Sequence, residues 1–139
     1  LFFSPSVFNY YPAGYVVPAT DLEGPQFGIL NATTSFSRAN FLYNMTFNAA
    51  NSGTPDASLA GALGTRIDPT RFTSLAANPT SLVNAVAALL IPGQLTPQLR
   101  DAMLPAVNAI SLGATNGALD RVRTAIYLVA NSPQFSVDR

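Results

Sequence analysis

The chain has 139 residues, seven arginines against seven acids, no histidine, lysine or cysteine, 48% apolar residues and 10% charged ones. That length matches one ordinary domain, able to bury about two-thirds of its unfolded surface in a single core. Without His, Cys or Lys, the chain by itself completes no Ser-His-Asp, Cys-His, Ser-Lys or Schiff-base arrangement, disulfide or thiolate metal site, and its balanced, scattered charge offers no footprint for DNA, RNA or an anionic membrane.

The first segment holds half of the aromatic residues, among them Phe2, Phe3, Phe8, Tyr10, Tyr11, Tyr15 and Phe27. Ser4-Pro5 has the form of an N-cap followed by proline at the first helical position, so a short helix is expected over residues 4–11, ended by Pro12 and Gly14. Residues 14–29 carry three glycines and two prolines among scattered apolar side chains, the composition of an extended segment laid over a core. Asn31-Ala32-Thr33-Thr34 then supplies capping oxygens. Phe36, Ala39, Leu42 or Tyr43, and Phe47 recur at helical spacing, with Met45 widening the stripe, which predicts a helix over residues 32–49. Residues 51–56 form a turn-rich connection, and the small, glycine-containing stretch 57–64 reads as a linker.

Asp68-Pro69 and Asn78-Pro79 repeat the cap-then-proline signature. The first predicts one or two turns of helix toward Ala76, the second a firm helix to Leu90 with Leu82, Val83, Val86, Leu89 and Leu90 on its apolar face. After Pro92-Gly93, Thr96-Pro97 opens a helix carrying Leu99, Ala102, Met103, Val107 and Ile110, in which Pro105 is expected to produce a kink or a split. A last helix over residues 117–131 places Leu119, Val122, Ile126 and Val129 on one stripe, and Ser132-Pro133 is expected to end it. The longest apolar stretch, residues 83–91, is interrupted by Asn84 and is too short to span a bilayer core of about 30 Å. No useful strand-period alternation appears. The fold class is therefore all-α, an irregular bundle of about five helices with an extended aromatic-rich N-terminal segment, residues 1–30, preceding the bundle of residues 31–139 in a single module. The spacings between the four cap-proline pairs disagree, so a solenoid is rejected.

Ser4-Pro5-Ser6-Val7-Phe8-Asn9-Tyr10-Tyr11, then Gly14-Tyr15-Val16-Val17-Pro18, Gly24-Pro25-Gln26-Phe27 and the helix from Asn31 to Phe47 resemble, in order, the C-terminal part of a large bacterial family known as domain of unknown function 1800. Leu89-Leu90-Ile91-Pro92-Gly93 with Leu95-Thr96, and the closing run from Arg121-Val122-Arg123 through Ser132-Pro133-Gln134-Phe135, fit the same pattern. The resemblance covers nearly the whole chain and implies a mostly helical C-terminal portion of a larger, often exported protein, which places it in the periplasm or outside the cell. It implies no reaction, substrate, cofactor or catalytic residue.

Candidate chemistry within the chain is sparse. Asp21 and Glu23 form the nearest carboxylate pair, and Asp21, Glu23, Asp68 and Asp101 are the acids that an enzymatic reading needs at the wall of a cavity. Solvation or capping explains them more simply, and no oxygen-ligand loop for calcium is present. Arg121 and Arg123 stand two apart with Asp120 beside them, for which surface ion pairing is the simplest reading. Asn31-Ala32-Thr33 and Asn44-Met45-Thr46 match the glycosylation sequon, and neither is expected to be modified in a bacterial protein.

The low charge, well under the quarter or so usual in soluble domains, points to a surface that meets a partner. The expected function is a structural or interaction module without catalytic, cofactor-binding or metal residues of its own. Its partner is another protein chain or the N-terminal part of the same protein, contacted through Phe2, Phe3, Phe8, Tyr10, Tyr11 and Tyr15. The alternatives are the non-catalytic part of an enzyme whose active site lies upstream, and a carbohydrate or peptide binder using exposed tyrosines.

Overall fold

The computed structural model describes residues 14–21, 23–24, 28, 31–47 and 67–136. Contacts divide the chain into two compact units, Leu1–Asn40 and Phe41–Arg139. Among the described residues five α-helices, α1 (Ala32–Phe47), α2 (Pro79–Leu90), α3 (Pro97–Asn108), α4 (Gly117–Ala130) and α5 (Pro133–Ser136), follow one another, with a 3-10 helix, Thr70–Leu75, before α2. The chain is all-α: among the described residues the one sheet-like feature is an isolated antiparallel bridge between Val16 and Glu23. The short helix expected over residues 4–11, the end of the helix expected over 32–49 and the linker at 57–64 lie outside the described residues.

In the first unit, the Val16–Glu23 bridge encloses a turn. Thr20 donates its backbone N–H to the Val17 carbonyl at 3.1 Å, with Pro18 and then Ala19, at φ 64°, in the centre. Proline followed by a residue of positive φ is the type II turn, a role that usually falls to glycine. The same turn recurs after α2, where Gln94 donates to the Ile91 carbonyl at 3.0 Å across Pro92 and Gly93, and there φ of +74° is taken by glycine. The start of α1 is held by a reciprocal pair: Asn31 Oδ1 accepts the Thr34 N–H at 3.0 Å, and Thr34 Oγ1 accepts the Asn31 N–H at 3.0 Å. Two donors that the helix leaves unpaired are satisfied in this way.

The second unit is built on α4. Its buried residues Val122, Ala125, Ile126, Val129 and Ala130 recur at one helical face, and no residue of α4 is exposed. Around it pack Leu82, Val83, Val86 and Ala87 of α2 and Met103 and Val107 of α3. Ala76 and Ile91 complete this buried set, with Phe72, Leu75, Leu95 and Leu99 partly buried against it. At about 25 cal/mol per Å² of apolar area removed from water, a fully buried leucine or valine contributes roughly 1.5–3 kcal/mol, so this cluster is the main source of the unit's stability.

Two sequence expectations are corrected here, at Leu89 and Pro105, and a third, at Ser132-Pro133, holds. Leu89 is 58% exposed, and Ala87 takes the core position on α2, because residues 82, 83, 86 and 87 form the tighter i, i+1, i+4, i+5 patch. Of the kink or split expected at Pro105, the split does not occur, and α3 is one helix from Pro97 to Asn108. The proline ring removes the bond that would reach the Asp101 carbonyl, but both residues are exposed, so water can take the freed acceptor. Ser132-Pro133 ends α4 and also starts the single turn of α5: Ser132 Oγ accepts the Phe135 N–H at 3.3 Å while its own proton goes to the Val129 carbonyl at 2.7 Å.

Candidate functional site

The partner-binding residues expected from the sequence fall mostly outside the described part of the chain: Phe2, Phe3, Phe8, Tyr10 and Tyr11 do so. Tyr15 is described and half-buried, with its carbonyl accepting the Gly24 N–H at 3.0 Å, so its main chain has a structural role.

Among the described residues, the most exposed large aromatic side chains are on α1. Phe36 is 72% exposed, Phe41 61% and Tyr43 52%. The stripe of Phe36, Ala39, Leu42 or Tyr43, and Phe47 is therefore not a buried one, since both Phe36 and Tyr43 stand exposed. The one buried side chain of α1 is Thr46, whose hydroxyl donates to the Leu42 carbonyl at 2.6 Å and thereby loses its need for water. Arg38 is the helix's only charged residue.

Within the second unit, the end of α1 meets α4 through rings. Tyr43 and Phe47 stack with centroids 5.0 Å apart and 24° between planes, and Tyr127 meets both edge-on, at 6.2 Å and 87° from Tyr43 and at 6.1 Å and 70° from Phe47. Offset and edge-to-face pairs of this kind contribute about 0.5–1.5 kcal/mol beyond their buried area. Tyr127 stands one turn beyond Arg123, which pairs with Asp120 at 3.1 Å. Arg123 Nε is buried without a hydrogen-bond partner.

Arg121 departs from the surface-ion-pair reading. Its Nε donates to the Ile110 carbonyl at 2.8 Å and its Nη1 to the Ala76 carbonyl at 3.0 Å. Ala76 closes the 3-10 helix and Ile110 lies just past α3, so one guanidinium neutralises the negative ends of two separate elements. The forked, planar donor set of arginine suits this geometry, whereas a lysine reaches one carbonyl at a time. Nothing in the local sequence marks this role, because both acceptors are main-chain groups remote from residue 121.

The four acids of the enzymatic reading are all exposed. Asp68 Oδ1 accepts the Thr70 hydroxyl at 2.6 Å and the Thr70 N–H at 2.9 Å, which caps the 3-10 helix and holds the carboxyl below its usual range. Asp101 pairs with its neighbour Arg100 at 2.9 Å. Asp68 and Asp101 thus serve in ordinary capping and surface pairing. Among the described residues, no three His, Cys, Asp or Glu side chains gather to hold a metal ion, and no helix is long and apolar enough to cross a membrane. No family model, no curated protein and no solved structure matches the chain.

Proposed function

We propose that this chain is a structural or interaction module, the C-terminal part of a larger exported bacterial protein of the domain of unknown function 1800 family. On this reading it packs against polypeptide from the upstream part of the same gene product. The exposure of Phe36, Phe41 and Tyr43 on a helix with one charged residue carries this reading, since aromatic side chains of that size are costly to leave in water and are enriched where proteins meet. The family assignment and the periplasmic or extracellular location rest on the sequence motifs alone. Intact-mass and native-mass measurement of the gene product from its own cells tests the proposal. A single polypeptide extending upstream of Leu1 is expected, and a free chain of 14.6 kDa that runs as a monomer contradicts it.

A second reading, a binding module for carbohydrate or peptide, is supported by the half-exposed Tyr43 stacked on Phe47 beside Tyr127. With no tryptophan in the chain, tyrosine fluorescence reports directly on such a site. Titration with soluble oligosaccharides should then change that emission in the native protein and not in a Tyr43→Ala variant. An unchanged signal in the native protein discards the carbohydrate form of this reading.

A further inference from the structure

Asn116-Gly117 is the only Asn-Gly step in the sequence. It stands where the loop after α3 enters α4, with Asn116 at the N-cap position and exposed. Unlike Asn78 and Asn31, whose side chains accept helix N–H groups, Asn116 makes no side-chain cap bond. Its carboxamide is open to solvent while the backbone on its C-terminal side is firmly held. The Gly117 N–H is donated to the Ala114 carbonyl at 2.9 Å. A Cβ on Gly117 would collide with the Ser111 carbonyl oxygen and lie 2.9 Å from Leu112 Cα, so the main chain at Gly117 is seated directly on the loop.

We propose that Asn116-Gly117 is a deamidation site gated by the conformation of the loop before α4. In the reaction the Gly117 nitrogen, having lost its proton to solvent base, adds to Cγ of Asn116, and the side-chain nitrogen leaves as ammonia. Water then opens the five-membered imide at one of its two carbonyls, giving aspartate or isoaspartate. Glycine makes this step accessible because it places no side chain beside the attacking nitrogen. Ring closure requires that nitrogen to eclipse Cβ of Asn116, and at ψ 20° it lies on the far side. The Ala114 bond and the seat against Ser111 oppose the rotation, and Arg121 ties the start of the same loop through the Ile110 carbonyl. The folded chain therefore suppresses the reaction, and local opening of the loop releases it. The two products differ in consequence. Aspartate puts a carboxylate at the positive end of α4, a favoured capping position, whereas isoaspartate lengthens the main chain by one carbon and displaces Gly117 from its seat.

The test incubates the 139-residue chain at neutral pH, folded and in concentrated urea, and follows the tryptic peptide of residues 101–121 by tandem mass spectrometry that separates aspartate from isoaspartate. Conversion is expected at Asn116 and not at Asn108 of the same peptide, at least about tenfold slower in the folded chain, in proportion to the fraction of loops open. Arg121→Lys should raise the folded-state rate and leave the rate in urea unchanged. Equal rates in the two conditions, or an intact Asn116 in urea, overturns the proposal.

Discussion

Arg121 shows how one side chain can serve several elements at once. Two charge-assisted hydrogen bonds to carbonyls that have few other donors give an expected loss of about 2–4 kcal/mol for Arg121→Ala, read as a lower midpoint in urea denaturation. Arg121→Lys should lie between that variant and the parent, and a loss below about 0.5 kcal/mol for Arg121→Ala would show that the clamp is idle. Ala19 is a second test at this scale. A left-handed alanine costs about 1 kcal/mol, so Ala19→Gly should be neutral to stabilising even though glycine is freer in the unfolded chain, and a clear loss of stability would contradict the turn assigned here. Asp68 carries the sign of a pH effect. Its folded carboxyl titrates below its unfolded value because Thr70 donates two bonds to the charged form, so its contribution is present above about pH 4 and disappears as pH falls through the folded value. Asp68→Ala should flatten that acid limb of the stability profile.

Helix boundaries were legible because their chemistry is local. Asn78-Pro79 and Thr96-Pro97 each pair a capping oxygen with proline, and both caps are observed, Asn78 Oδ1 accepting the Ser81 N–H at 3.1 Å and Thr96 Oγ1 the Leu99 N–H at 3.2 Å. Asn78→Ala is expected to cost about 1 kcal/mol, measurable as a drop in melting temperature. Asp68-Pro69 announced a helix start too, but the turn it opens is 3-10, a choice that depends on packing against α2 and α4. The split allowed for at Pro105 fails to occur for a similar reason. Proline's local penalty predicts a break, yet Met103 and Val107 on either side are held in the core, which keeps α3 in one piece. The penalty should persist as lost stability: Pro105→Ala is expected to stabilise the chain by about 1 kcal/mol or more, and no change in urea midpoint would mean that the helix has already absorbed it.

Across the whole molecule, the all-α class followed from helical periodicity and the absence of alternation, both properties of sequence alone. The candidate surface was harder to read. An aromatic residue gives the same signal whether it packs inward or faces a partner, and only the positions of its neighbours decide between them. Leu89 and Phe36 illustrate the ambiguity: each continues an apolar pattern, and each is exposed. The remote bonds of Arg121 were invisible because no local pattern specifies a main-chain acceptor 45 residues away.

The proposed contact of the aromatic side chains of α1 with polypeptide from the same gene product can be tested at single residues, because the chain has no cysteine to interfere. Phe36→Cys and Phe41→Cys, introduced separately, are to be labelled with a thiol reagent in the 139-residue chain and in the intact gene product. Rapid labelling is expected in the chain alone and strong protection in the intact protein, whereas equally rapid labelling in both would overturn the proposed contact.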